Sequence, residues 1–455
     1  MWFALRRQAE VIRVSHSKIV RLALRLLSGD VSWLFHRLRL SLELRGLVPR
    51  PVALVSEVGS SGTLHGDELS RQMPMKVVVF SHNLCYEGAS ISLKELVLGL
   101  MHCRAFTPDI VAFEDGPLRA DYESNGISVQ VLPSILHKVS TLKRLTVEVE
   151  RLTLLIQESG AELVFVNTLL NFPAILAAER AGVPSVWNPR ESEPWNSYFR
   201  FLPDPVAQRA IAAIGLPKKV IFVAQATRTV WNTFDVDGRF EVIHNGINLN
   251  RFPLRSVATE RARCRTALDL KPGSIAILCV GTLCDRKGQM DLVEAFSALP
   301  EEISSRVQML LVGDDRGAYA EAIKDRCYSL PVGALDAIRI FPPTESVASF
   351  YAAADIFVLS SKVESFPRVV LEAMAFGLPI ITTPVFGVLE QVVEGENALF
   401  YPPGDSRLLA VQIEQLAGDD ALRLRMAESS LQRISQMTTF DEMVVAYANV
   451  CRKAI

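Results

Sequence analysis

From residue 75 the chain alternates short apolar runs with longer stretches of helical period. Runs at 76–80, 110–113, 129–132, 163–166, 185–187, 220–223 and 241–243 read as buried strands, and segments such as 91–101 and 173–181 between them read as helices. After Asn248-Leu249-Asn250-Arg251-Phe252-Pro253 the pattern restarts, with strands at 275–280, 308–312, 338–341, 356–359, 379–382 and 398–401. Such alternation predicts parallel sheets joined by right-handed crossovers. The repetition predicts an α/β chain of two doubly wound, Rossmann-like domains facing each other across a cleft, over 73–252 and 253–435. The final stretch, 436–455, is helical in pattern and is expected to brace one domain against the other.

A length of 455 residues exceeds a single core and agrees with that division. The segment ahead of the first domain differs. Its first fifty residues hold Arg6, Arg7, Arg13, Lys18, Arg21, Arg25, Arg37, Arg39, Arg45 and Arg50 against Glu10, Asp30 and Glu43, interleaved with leucines and Trp33. Residues 1–72 therefore read as a basic amphipathic helical extension followed by a linker at 55–72. Two readings stand for 1–50: contact with an anionic membrane surface, or packing on the next domain with the arginines in water. No run reaches the roughly eighteen apolar residues of a membrane span, and no secretory signal is evident. The expected location is the cytoplasm, with peripheral attachment to the inner membrane face left open.

Composition narrows the chemistry. An apolar fraction of 49% with 22% charged residues fits a soluble globular protein, and a net charge of −2 gives no bulk attraction to nucleic acid. The cysteines (85, 103, 264, 279, 284, 327 and 451) form no CxxC pair, and the histidines form no HxH or HxxxH pattern. A reducing compartment is expected, with neither a disulfide framework nor a protein-bound metal, although Mg²⁺ carried by a substrate would leave no trace.

The chemistry concentrates in ESFPRVVLEAMAFGLPIITT, residues 364–383. Glu364 and Glu372 stand at the two ends of ESFPRVVLE. Ser365 or Phe366 is expected as a helix N-cap, Pro367 in the first turn, and Gly377 at the left-handed C-terminal position. Glu364 would then lie near a helix N-terminus, beyond the carboxyl edge of strand 356–359, where open α/β sheets bind ligands. By spacing alone the two glutamates are as readily a solvated face. Each domain also opens with a strand and a glycine turn. Gly88 precedes a helix starting near Ser90, and Gly281 is followed by Arg286, Lys287 and Gly288 ahead of another. Free N–H groups at a helix start beside cations form an anion site, although a solvated loop fits the Arg286-Lys287 pair equally. Neither turn is GxGxxG or a P-loop.

Taken together, VGTLCDRKGQMDLVEAF, LVGDD, YAAADIFVLSSKVESFPRVVLEAMAFGLPIITT and HNGIN resemble the retaining glycosyltransferases of family 4 (glycosyl transferases group 1), which have the GT-B fold. The resemblance covers roughly residues 75–435 and is strongest in the second half. It implies a nucleotide diphosphate-sugar donor held by the C-terminal domain and a glycan or lipid-linked saccharide acceptor entering from the N-terminal domain. It further implies that Lys287 contacts the diphosphate, Glu364 the sugar hydroxyls and Glu372 the ribose, without a protein-bound metal. Thr282, Ser365, Phe366 and Gly313 would line the donor site, Gly313 being equally a simple strand-end turn.

Two positions depart from the family pattern. Thr282 stands where many members have arginine, and Arg286 is the candidate replacement because a guanidinium suits phosphate. In WNPRESEPW, Arg190 or Asn188 occupies the neighbourhood of a common histidine, which leaves the general base unassigned. Arg190 and Glu191 are acceptor-side candidates or a mere surface pair; His82 is a reserve candidate or a satisfied loop histidine. Two other functions compete: a catalytically silent nucleotide-sugar-binding protein, and a nucleotide-sugar epimerase, whose motifs the chain does not resemble.

Overall fold

The computed structural model describes residues 73–133, 141–249, 258–314, 316–330, 336–344 and 347–455. The basic pattern of 1–50, the linker at 55–72, residues 250–253 and Asp315 lie outside the described residues.

Strands β1 (Met75–Ser81), β2 (Phe106–Ala112), β3 (Ser128–Val131), β4 (Leu163–Asn167), β5 (Ser185–Asn188), β6 (Lys219–Phe222) and β7 (Phe240–Val242) form one sheet in the order β3-β2-β1-β4-β5-β6-β7. Strands β8 (Ile275–Val280), β9 (Val307–Val312), β10 (Ile338–Phe341), β11 (Ile356–Leu359), β12 (Ile380–Thr382) and β13 (Ala398–Phe400) form a second, in the order β10-β9-β8-β11-β12-β13. Every pairing is parallel. Each apolar run of the sequence is therefore a strand. The reason is burial on both faces: all five residues of β4 and all six of β9 are buried, so the pattern is continuous rather than alternating.

Successive residues of a strand feed opposite layers. In the first domain, Val77 and Val79 pack under α1 (Gly88–His102) through Leu93, Leu96, Val97 and Leu100. Val78 and Phe80 face α2 (Leu142–Ser159) and α3 (Phe172–Ala181) through Leu152, Ile156 and Ile175. In the second domain, Ile277 and Cys279 meet α4 (Gln289–Ser297), while Ala276 and Leu278 share a cluster with Val370, Leu371 and Met374 of α5 (Arg368–Ala375).

After α6 (Asp420–Ser435) the chain enters α7 (Phe440–Lys453), whose start is fixed by a reciprocal capping box between Thr439 and Glu442. Met443, Val444, Tyr447, Ala448 and Cys451 bury themselves in the first domain's α1 layer, and Tyr447 donates its hydroxyl to Asn188 Oδ1 at 3.2 Å.

One local expectation needs correction. The N-cap of α5 is Pro367, not Ser365 or Phe366. Ser365 Oγ is committed across the cleft, donating to the Arg190 carbonyl at 2.6 Å, so it does not cap its own helix. Gly377 does take the left-handed conformation that stops α5, at φ 66°.

Candidate active site

Each sheet has one place where consecutive connections leave in opposite directions: between β1 and β4 in the first, between β8 and β11 in the second. Crevices at such switch points bind ligands in open α/β sheets. Here both contribute to one cleft of about 530 Å³. It is lined by His82, Gly88, Arg190 and Glu191 from the first domain and by Gly281, Thr282, Arg286, Lys287, Gly313, Glu364, Ser365, Phe366 and Glu372 from the second.

The second domain builds a charged wall. β8 ends in the Gly281-Thr282 turn, which buried Gln289 holds by donating Nε2 to both carbonyls, at 3.3 and 3.0 Å. A short 3₁₀ turn, Asp285–Lys287, then delivers Lys287 to Glu364, with Nζ–Oε1 at 2.5 Å. Ser361 Oγ donates to the same carboxylate oxygen at 2.6 Å. Burial alone would raise the Glu364 carboxyl, but the charges of Lys287 and Arg286, with hydrogen bonds from Lys287 and Ser361, hold it below the usual carboxylate range. Arg286 is exposed at the cleft and donates to the Val363 carbonyl at 3.3 Å. Glu372, on α5, accepts from the Tyr351 hydroxyl at 2.9 Å and lies 3.5 Å from Arg368 Nη2. Gly313 has a packing reason of its own, since a Cβ there would lie 2.1 Å from the Gly281 carbonyl oxygen.

The segment between the glutamates is gripped by the first domain. Ser192 Oγ donates to Ser365 Oγ at 2.8 Å, and Asn245 Nδ2 donates to the Phe366 carbonyl at 2.9 Å. His244 stacks on the Phe366 ring at 4.7 Å and 8°. Arg368 forks onto Glu95 of α1 at 2.5 and 3.1 Å. Gly387 lets the chain pass: a Cβ there would meet Ser365 O at 1.6 Å and Ala224 at 2.7 Å.

The first-domain wall is assembled differently. His82 Nε2 lies 3.4 Å from Glu87 Oε2, a hydrogen bond that is the main cause of the lowered Glu87 carboxyl, while His82 Nδ1 is buried without a partner among the described residues. Arg190 and Glu191 are not a surface pair. The guanidinium donates to Asn167 Oδ1 at 3.1 Å and Asn245 Oδ1 at 2.7 Å. The Glu191 carboxylate accepts the backbone N–H groups of Leu169 and Arg190, both at 2.9 Å, and the Tyr198 hydroxyl at 3.1 Å. Burial pushes the Glu191 carboxyl up and those N–H groups only partly offset it. Asn188, fully buried, donates to the Ile221 carbonyl at 2.6 Å and does not line the cleft.

Sequence reasoning missed Glu95, Arg368, Ser192, Gln289 and Thr168. Asn245, Gln289, Arg368 and Ser192 stood only inside quoted motifs, without a role. Gln289 acts on carbonyls seven and eight residues back, whereas Glu95, Arg368, Ser192 and Asn245 act through partners far away in the chain, which no local spacing signals. Among the described residues, no group of three or more His, Cys, Asp or Glu is placed to hold a metal ion, and no helix is long and apolar enough to cross a membrane.

Known proteins supply the last observations. A family model described as Glycosyl transferases group 1 matches residues 260–433, and one described as Glycosyltransferase Family 4 matches residues 86–251. The chain is 31% identical over 224 residues to a D-inositol 3-phosphate glycosyltransferase of Xylanimonas cellulosilytica, covering 48% of this chain and 52% of that protein. It is 27% identical over 281 residues to the lipopolysaccharide core biosynthesis glycosyltransferase LpsE of Rhizobium meliloti, covering 59% and 75%. The first of these relatives is thus matched over about half its length. The crystal structure of Anabaena HepE in complex with UDP superimposes with a TM-score of 0.69 at 21% identity, covering 84% of this chain and 100% of that one, a likeness of fold.

Proposed function

The chain belongs to the group 1 and family 4 glycosyltransferases and has their GT-B fold, and from that premise we propose that it moves a sugar, with retention, from a nucleotide diphosphate-sugar to a hydroxyl of a glycan or lipid-linked saccharide. The observation that carries this reading is the Lys287–Glu364 pair at 2.5 Å, set beside Arg286 in the shared cleft.

A departing nucleotide diphosphate develops negative charge, and fixed cations stabilise it best where they need no reorganisation. Lys287 and Arg286 supply that charge, Arg286 standing in for the arginine absent at Thr282. Glu364 turns to the hydroxyls of the donor sugar once the diphosphate engages Lys287, and Glu372 meets the ribose. Neither glutamate is the base. Arg190, where many members have histidine, cannot take a proton either. The reading therefore gives the acceptor proton to the departing phosphate on the same face of the sugar, a route compatible with retention.

The UDP bound by HepE makes UDP-sugars the first donors to test. The lipopolysaccharide relative and the basic segment 1–50 support a membrane-linked acceptor; deleting 1–50 should then reduce sedimentation with anionic liposomes. Incubation with a UDP-sugar and an acceptor panel, followed by NMR of the product anomeric proton, tests transfer and retention together. Activity is expected to survive excess EDTA, and its complete loss would refute metal independence. Thr282 and Arg190 also favour a second reading, a nucleotide-sugar-binding protein without turnover, which would bind donor yet release no nucleotide with any acceptor.

A further inference from the structure

Thr168 follows β4, directly across the switch point from β1 and His82. Its backbone has φ 67° and ψ 156°, a conformation that a β-branched residue takes only under strain. Its neighbours hold it there: its N–H donates to the Asn188 carbonyl at 3.0 Å, its carbonyl accepts Trp187 Nε1 at 2.7 Å, and the next N–H is bound to Glu191. The side chain is 2% exposed and lines the cleft, and its Oγ1 has no hydrogen-bond partner among the described residues. A buried hydroxyl without a partner is costly, and so is a strained backbone. Both coincide at one residue, and buried His82 Nδ1 is a second unpartnered polar atom on the same wall.

The charge of that wall restricts what these atoms meet. The first domain lines the cleft with the carboxylates of Glu87, Glu191 and Glu193. Of its cation-capable lining groups, His82 is paired with Glu87, and the Arg190 guanidinium is held by the amide oxygens of Asn167 and Asn245, which leaves three carboxylates against one guanidinium. A phosphate brought here would face three carboxylates with one first-domain guanidinium to offset them. A sugar or polyol hydroxyl both donates and accepts, and carries no charge.

Resting on the function proposed above, we propose that Thr168 Oγ1 and His82 Nδ1 form the acceptor subsite and that it takes an uncharged polyol or sugar hydroxyl rather than a phosphorylated group. This sets the chain apart from the relative whose name specifies inositol 3-phosphate.

The test uses the full chain. UDP binding is measured first by calorimetry; its absence counts against the proposed function and not against this subsite. UDP-saturated protein is then titrated with methyl α-D-glucopyranoside, methyl β-D-galactopyranoside and myo-inositol, and with D-inositol 3-phosphate and glucose 6-phosphate. At least one neutral probe is expected to bind, and the phosphorylated probes at least about tenfold more weakly. Thr168→Val, which keeps the shape and loses the hydroxyl, should weaken the neutral probe about tenfold with UDP affinity unchanged. Thr168→Gly, which relaxes the backbone, should show the same loss without a lower Tm. Equal or tighter binding of the phosphorylated probes, no binding of any neutral probe, or unchanged affinity in both variants overturns the proposal.

Discussion

The two domains turn the same edge of the same kind of sheet toward the cleft, yet they furnish it in opposite ways. The second-domain wall is a compensated charge cluster, with Lys287 on Glu364 and Arg286 beside them. The first-domain wall holds its half-buried arginine on two asparagines and, among the described residues, leaves a hydroxyl and an imidazole nitrogen without partners. On the proposed function, one crevice suits a charged leaving group and the other a neutral nucleophile. Fold alone sets neither; the side chains at equivalent strand ends do.

The comparison breaks first at the charged wall. Glu364→Gln and Lys287→Ala should each lower turnover by about 10²–10³-fold, the scale of losing a positioned charge-stabilising group. Unchanged turnover in both, with intact circular dichroism, removes the site assignment.

The next effect concerns how the walls are joined. Arg368→Ala removes the guanidinium fork from the poorly exposed Glu95 carboxylate and should cost about 3 kcal/mol of stability, and Glu95→Ala should cost less, because Glu372 still lies 3.5 Å from Arg368. The double variant should cost clearly less than the sum in urea melts; strict additivity would show that the fork couples nothing.

A smaller, pH-dependent effect follows from the Glu364 carboxyl. Because its folded value lies below the ordinary one, its contribution is complete above the usual carboxylate range and is lost as pH falls through the folded value. Stability of the wild type should therefore fall more steeply on acidification than that of Glu364→Gln. Parallel curves would contradict the pairing.

Two glycines mark the lower end of the scale. Gly313→Ala forces a Cβ to 2.1 Å from a backbone oxygen and should cost about 1–3 kcal/mol. Gly88→Ala meets nothing within 4 Å and should leave Tm nearly unchanged, so any loss of donor affinity there reports on the ligand alone.

Legibility in the sequence follows the range of the interactions. Strands buried on both faces write themselves as unbroken apolar runs, so both sheets could be read before their order was known. The charged wall was legible because Arg286 and Lys287 lie in one turn and Glu364 to Glu372 in one segment. The N-cap of α5 was misread because the polar group that looked local, Ser365, bonds to Arg190, 175 residues away. Arg368 and Glu95 are 273 residues apart, and no periodicity reports such a pair. Thr168 carried no sequence signal, because positive φ at a threonine is imposed by its surroundings.

The central claim, a nucleotide diphosphate-sugar held at Lys287, is tested most directly by thermal unfolding of the full chain against a panel of nucleoside diphosphates and their sugars. A ligand that binds only the folded state raises Tm by mass action, by the equivalent of about 2.7 kcal/mol at a hundred times its Kd. At least one nucleoside diphosphate, with its sugar, should raise the wild-type Tm, and the same ligand should raise it far less in Lys287→Ala. No shift with any member of the panel, or an equal shift in both proteins, would contradict the account.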